Sequence, residues 1–402
     1  MKFYKLFLAV QLPLVLARAP LLMRADNDSV PHNYIITLRP HHTATNARTL
    51  LKTAIAKKLA GTKHQGILRT FGSIDGLTAL HVDCDPNTLE AIRNHPSVQS
   101  VHQDGFVYGQ FVIPRIVPRD DLVAGPTWGL GRISHRDPGV IGYDFKQPPQ
   151  TRLYVLDTGV RITHKEFGGR AVWGANFVDG SPNNDENGHG THIAATAAGN
   201  TVGVDNSTII VAVKCLDKNS VGTWSGILAA IDWAVGDAQS RSIITRSVIN
   251  MSIGGPTFPP LDDMVAKANA AGMTIVVAAS NYGADASGYS PARSPAVITV
   301  AAIDRTDTRP SWSNYGSSVT VFAPGVDISS AWLSSDSAYA TLSGTSMASP
   351  HVAGLATYLM SREGLAGPVA VRRRMVQLAT NGRVIGADGS PNLIAYNGAG
   401  GP

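Results

Sequence analysis

Three short stretches of this chain carry polar groups of the kind that break bonds: Asp157 in "LYVLDTGV", His189 in "DENGHGTHIAATAAG" and Ser346 in "LSGTSMASPH". Asp157 closes an apolar run, where a carboxylate serves either a turn or a site. His189 precedes a run of small residues, and Gly188 and Gly190 on either side of it let other backbone come close. His192 follows three residues later, and with Asp185 upstream the two histidines suit a metal-assisted hydrolase, although no further ligand is identifiable. Ser346 stands where a loop passes into the helical stretch "MASPHVAGLATYLM", so backbone N–H groups at the helix start face negative charge that develops beside its hydroxyl. Of its neighbours, Ser343 and Thr345 suit turn and capping roles, and Ser349 precedes Pro350. A carboxylate, an imidazole and a hydroxyl therefore offer two chemistries, nucleophilic attack by the serine or metal-assisted hydrolysis.

Such groups work only if the fold brings them together. From Arg152 onward, apolar runs alternate with helical stretches: "LYVLD", "IIVAVKCL", "SVINMSIG", "MTIVVAAS", "AVITVAAI" and "VTVFAPG". Near-continuous apolar strands are covered on both faces, which predicts a doubly wound, mainly parallel α/β sheet with helices on either side. Sites in such sheets form at the carboxyl ends of strands. Ahead of it, residues 33–107 read β-α-β-β-α-β, a small α+β, ferredoxin-like unit with two helices on one face. The intervening "FVIPRIVPRDDLVAGP" reads as a linker.

With 402 residues, 44% of them apolar and 16% charged, the chain can bury one large core and one smaller one. Its net charge of +5 divides as +3 over residues 1–19, +2 over 20–121 (11 basic, 9 acidic) and zero beyond (20 of each). The excess avoids the larger unit, which argues against a nucleic-acid footprint. Lys2 and Lys5, the apolar run Leu6 to Leu16, and Ala17 and Ala19 form a secretory leader pattern over residues 1–19. Pro20 disfavours a cut after Ala19 and shifts attention to Ala17. No later run is apolar enough for a membrane anchor, so a secreted, extracellular product is expected. Cys84 and Cys215 fall on opposite sides of the expected processing region and cannot pair within a mature domain; Cys215 reads as a buried free thiol.

"LYVLDTGV", "NGHGTH" and "GTSMASPHVAG" resemble the Asp, His and Ser motifs of the subtilisin family, in its secreted proteinase K-like branch. That chain order of the three residues is a known subtilisin signature. The resemblance runs from about Pro126 to Asn397, and residues 33–107 resemble the family's inhibitory pro-segment. It implies a serine endopeptidase with Asp157, His189 and Ser346 as its triad, made as a zymogen with pro-segment 20–111 and peptidase domain 112–402, the cut falling between Phe111 and Asp120. His189 would take the Ser346 proton and Asp157 would orient the imidazole. Asn281 matches the oxyanion asparagine. Peptide would add as a strand between "NSVGTW", carrying Ser220, Val221, Gly222 and Trp224, and "SIGG", carrying Ser252, Ile253, Gly254 and Gly255. Ala278, Ala279 and Ser280 would border the specificity pocket, and Gly222, Gly254 and Gly255 would let substrate backbone approach.

Several positions depart from the family pattern. Ser280 replaces a common glycine and would narrow the pocket; Ile193 stands where the branch has a cysteine. Thr320 and Arg136 stand where it has calcium-binding oxygens, so neither calcium nor any other cofactor is carried over. The expected partners are protein and peptide substrates and the chain's own pro-segment, as inhibitor and folding aid, with a monomeric enzyme. A catalytically silent binding protein on the same fold is the non-enzyme alternative. Sequons at Asn27, Asn206 and Asn250 make a glycoprotein an open question, Asn250 being a poor acceptor inside a strand.

Overall fold

A computed structural model describes residues 18–23, 28–39, 44–75, 78–109, 115–117, 127–140, 142–143 and 151–399. The chain divides into two units, one of Met1–Met23, His32–Thr70 and Thr78–Gln103, the other of Arg24–Pro31, Phe71–Leu77 and Asp104–Pro402.

In the first unit the β-α-β-β-α-β reading holds. Strands Ser29–Leu38 and Ala79–Asp83 pair antiparallel, with Tyr34 opposite Val82 and Ile36 opposite Leu80. Helices Ala44–Leu59 and Pro86–Arg93 turn Leu51, Ile55, Leu89 and Ile92 into one core with Ile36 and Leu80. The second helix starts where its sequence says: the Asp85 carboxylate accepts from the N–H groups of Asn87 and Thr88, and Pro86 takes the first turn. A further short strand, Leu21–Leu22, runs parallel to Val98–Gly109.

The second unit is built on a nine-stranded sheet. Its centre is five parallel strands in the spatial order Ile298–Ile303, Thr274–Ala278, Ser247–Met251, Arg152–Asp157 and Ile209–Lys214. The chain adds strands on one side of Arg152–Asp157 first and then on the other, so that strand lies at the switch of winding, where a crevice opens at the carboxyl end. Asp157 is its last residue. Helices His189–Ala198 and Thr345–Glu363 pack on each other, with Gly354 so close that a methyl there would lie 2.3 Å from the Ala197 carbonyl oxygen. Thr345 to Ser361 is buried without a break, its polar side chains included.

The expected linker is in part structured: Arg115–Val117 is a strand antiparallel to Tyr339–Leu342, because extended, apolar Ile116 and Val117 suit an edge better than a tether. The rest of it lies outside the described residues. Cys84 and Cys215 are both free and buried.

Arg132 and Asp307 form a buried bidentate pair, Nε to Oδ1 at 2.7 Å and one terminal nitrogen to Oδ2 at 3.1 Å. Removing one partner strands the other's charge. Arg132→Leu should lower stability by about 3–5 kcal/mol in urea denaturation. A loss below about 1 kcal/mol, typical of exposed pairs, would contradict the burial.

Candidate active site

Asp157 Oδ1 accepts two hydrogen bonds of 2.7 Å, from the Thr158 N–H and from His189 Nδ1. A carboxylate oxygen can only accept, so the imidazole carries its hydrogen on Nδ1, which leaves Nε2 as the basic nitrogen. Both residues are buried at the switch of winding.

His189 is the first residue of its helix, and two devices hold it there. Gly190 passes so close to the Gly159 carbonyl that a Cβ would sit 2.0 Å from it, and Gly188 takes φ 102° at the helix cap with the Trp332 ring against it. The second device is Asp185, which sequence reasoning had weighed only as a metal ligand. Its Oδ1 accepts from the Thr158 hydroxyl (2.9 Å) and the Asn187 and Gly188 N–H groups (3.0 and 2.8 Å). Its Oδ2 accepts from the N–H and hydroxyl of Thr191 (3.0 and 2.6 Å). The Thr158 hydroxyl in turn accepts from the Gly190 N–H at 2.9 Å. A short acidic residue ahead of a helix is a capping signal legible in "DENGHGT", but its bond to Thr158, 27 residues away, is not.

The metal reading loses its geometry here. His192 donates from Nε2 to the carbonyls of Ile328 and Ala340 (3.0 and 3.2 Å), and burial pushes its pKa down to about 3, so it is a neutral brace between strands. Among the described residues no group of three or more His, Cys, Asp or Glu is arranged to hold a metal ion. Thr320 pairs with Thr299 across strands, and Arg136 lies over the Tyr396 ring. Ile193 is core, and burial followed by the nearby Asp157 carboxylate pushes the Cys215 thiol well up.

Ser346 is the second residue of Thr345–Glu363; its hydroxyl donates to the Ser252 carbonyl at 3.2 Å, and the Ser252 hydroxyl donates to the Ser346 carbonyl at 2.9 Å. Thr345 does not cap the helix. Instead its N–H and hydroxyl both donate to Asn281 Oδ1 (2.9 and 2.8 Å), which fixes the side on which the amide's NH2 points. Ser343 accepts from the Asp327 N–H, a loop tie as expected. Asn250, read only as an unusable sequon, accepts from the Ser349 hydroxyl and donates to Ser252 (2.8 and 3.1 Å), which locks helix to strand beneath the serine.

Strands Val221–Thr223 and Ile253–Pro256 flank the end of Val98–Gly109, which lies between them antiparallel to both. Gly222 faces Val107, Gly254 faces Tyr108 and Ile253 faces Gly109. Phe106 and Tyr108 point outward, whereas Val107 is buried beside Gly255, with Trp224 below it stacked on Phe258. The three glycines expected to admit substrate are needed against the protein's own body. Added methyls would lie 2.3 Å from the Cys215 carbonyl at Gly222, 2.6 Å from Ser280 Oγ at Gly254 and 2.9 Å from the Trp224 ring at Gly255. Ser280 itself is buried at φ 80°, after the buried Ala278 and Ala279.

Residues 150–396 match the family model of the subtilase family, more than half of the chain. The chain belongs to the subtilase family. Residues 33–110 match the peptidase inhibitor I9 family. This subtilase is 45% identical over 339 residues to subtilisin-like protease 2 of Pseudogymnoascus destructans, covering 84% of the chain and 82% of that relative. It is 39% identical over 405 residues to alkaline protease 1 of Aspergillus clavatus, covering 98% of each. The crystal structure of a cold adapted subtilisin-like serine proteinase matches with TM-score 0.63 and 38% identity over 68% of this chain and 99% of that one. The subtilase is a serine endopeptidase that carries an inhibitor-type pro-domain.

Removing the Asp185 hub should misplace His189 without touching strands Val221–Thr223 and Ile253–Pro256. Asp185→Ala is expected to lower kcat about 100-fold with KM changed less than about threefold. Unchanged kcat in steady-state peptide hydrolysis would show that Asp185 does not position the imidazole.

Proposed function

We propose that this subtilase is a secreted, self-processing endopeptidase acting through Asp157, His189 and Ser346 by an acyl-enzyme route. His189 Nε2 takes the Ser346 hydroxyl proton during attack on the peptide carbonyl and returns it to the leaving amine. Asp157 holds the tautomer and stabilises the imidazolium. The Asn281 NH2 and the Ser346 N–H donate to the oxyanion, both aimed by the start of one helix. The observation that carries this reading is the strand ending at Gly109: an extended peptide pairs on both sides in the cleft, one residue short of Ser252, whose carbonyl meets the Ser346 hydroxyl. A loss of activity with a serine-directed phosphonate and not with a chelator is the expected result. Inhibition by the chelator alone would revive the metal reading, and no labelling of Ser346 would favour a silent binding protein.

The same strand supports an inhibitory pro-segment whose tail is the first substrate. A second hold is Asp232, on helix Trp224–Ser240, which accepts from the N–H of Gly72 (3.2 Å) and the N–H of Ser73 (2.8 Å). The described ladder ends with Gly109 opposite Ile253, the neighbour of Ser252, and the inhibitor match ends at 110. We therefore set the first cut at Gln110–Phe111, one residue before the junction expected after Phe111; that junction and Asp120 both lie outside the described residues. Of the leader expected over residues 1–19, residues 1–17 also lie outside them. Ala19 is buried in the first unit's core, with its N–H bound to the Arg93 carbonyl, which favours a leader cut after Ala17. No described helix is long and apolar enough to cross a membrane. Asn27 is outside the described residues, Asn206 is half-buried and Asn250 fully buried, so of the described sequons Asn206 is the one to test, together with Asn27.

Two outcomes check this reading. Ser346→Ala should accumulate as an unprocessed precursor, whereas the active chain should yield a product whose N-terminal sequencing begins at Phe111; normal processing of Ser346→Ala in a host lacking other proteases would refute self-cleavage. Asn281→Ala should cost about 10²–10³ in kcat with little change in KM, since its donor acts on charge formed in the transition state. Unchanged turnover would remove Asn281 from the oxyanion site.

A further inference from the structure

Gly109 carries the last described pair of the peptide in the cleft, and its N–H donates to the Ser220 carbonyl at 2.8 Å. A Cβ built on Gly109 would lie 2.1 Å from Ser220 Oγ, 3.3 Å from Ser220 Cβ and 3.4 Å from Leu216 Cδ1. The Ser220 hydroxyl therefore stands where the first atom of a side chain would be placed. Rotating the hydroxyl away relieves only the first contact. The contact with Ser220 Cβ stays a few tenths of an ångström too tight, because the Ser220 backbone is held, while that with Leu216 is ordinary packing.

Asp217 does the holding. Its carboxylate accepts from the N–H groups of Asn219 and Val221 (2.8 and 2.9 Å), its carbonyl accepts from the Ser220 N–H at 3.0 Å, and its N–H donates to the Val221 carbonyl at 2.8 Å. Within that turn Ser220 takes φ 60°, a left-handed conformation that a glycine would adopt without strain. Its hydroxyl is buried and makes no hydrogen bond among the described residues. A strained backbone and an unsatisfied hydroxyl both cost stability, and such costs concentrate where a residue serves function.

We infer that Ser220 is a specificity-determining residue that makes the cleft selective for glycine at the position Gly109 occupies, two residues before the bond that is cut. Any side chain there needs the hydroxyl turned away and the held turn shifted by a few tenths of an ångström, so residues larger than glycine are disfavoured. The substrate class is thus extended peptide with glycine at the second place on the amino side of the scissile bond. This inference rests on the reading of the cleft as the peptide-hydrolysing site.

The test uses the processed enzyme on a peptide panel that varies only that residue. Glycine should exceed leucine in kcat/KM by about tenfold or more, and Ser220→Gly should shrink the ratio by raising leucine. In the full chain, Gly109→Leu should slow appearance of the processed form, and adding Ser220→Gly should restore it. Equal kcat/KM for glycine and leucine peptides in the unmodified enzyme would overturn the inference while leaving the hydrolytic reading intact. No cleavage of any peptide, with no phosphonate labelling of Ser346, would instead be the failure of that underlying reading.

Discussion

The site depends on the position of one imidazole. His189 has no covalent reason to face Asp157, which lies 32 residues earlier; what holds it is a pair of buried carboxylates at the helix start. Asp157 fixes the ring through Nδ1, and Asp185 fixes the backbone that bears the ring through five donors. Thr158 joins the two, giving its hydroxyl proton to Asp185 while accepting from Gly190. In a dry interior each of these bonds is stronger than in water, and each donor would be costly to leave unmet. The loop therefore has one satisfied arrangement.

The other half of the chemistry is organised by a second set of polar ties that also crosses the sheet. Asn250 bridges Ser349 and Ser252, Ser252 meets Ser346 twice, and Thr345 grips Asn281. The helix that carries Ser346 thus aims the hydroxyl and, through Thr345, the amide of Asn281. Pre-aimed donors need no reorganisation when charge forms, which is the physical advantage of building them on a buried helix.

The cleft recognises its occupant mostly through backbone. Two edge strands pair with it through a ladder that reads no sequence, and the walls close on it at two places, around the buried Val107 and where Ser220 meets Gly109. Glycines in these walls are there because the enzyme's own carbonyls and rings press on them from behind. A glycine in a binding strand can therefore report packing within the enzyme as well as access for a ligand.

Much of this molecule is local and was legible as such. Apolar runs of strand length, small-residue helices and the Asp85–Pro86 start of a helix depend on neighbours within a few positions, so the doubly wound sheet, the small α+β unit and the three polar residues at strand and helix ends could be read directly. What the sequence could not decide was partnership at a distance. Asp185 reads in sequence as a metal ligand, and only the meeting of its oxygens with Thr158 and Thr191 makes it a hub for the helix start; His192 becomes a neutral brace only through carbonyls 136 and 148 residues away. Thr345 holds Asn281 across 64 residues, and Arg115–Val117 found an edge strand where a tether was expected. Hydrogen bonding and exclusion are satisfied in three dimensions, and a residue type states only what it is able to donate, accept or fill. The tertiary structure alone decides which partner is there.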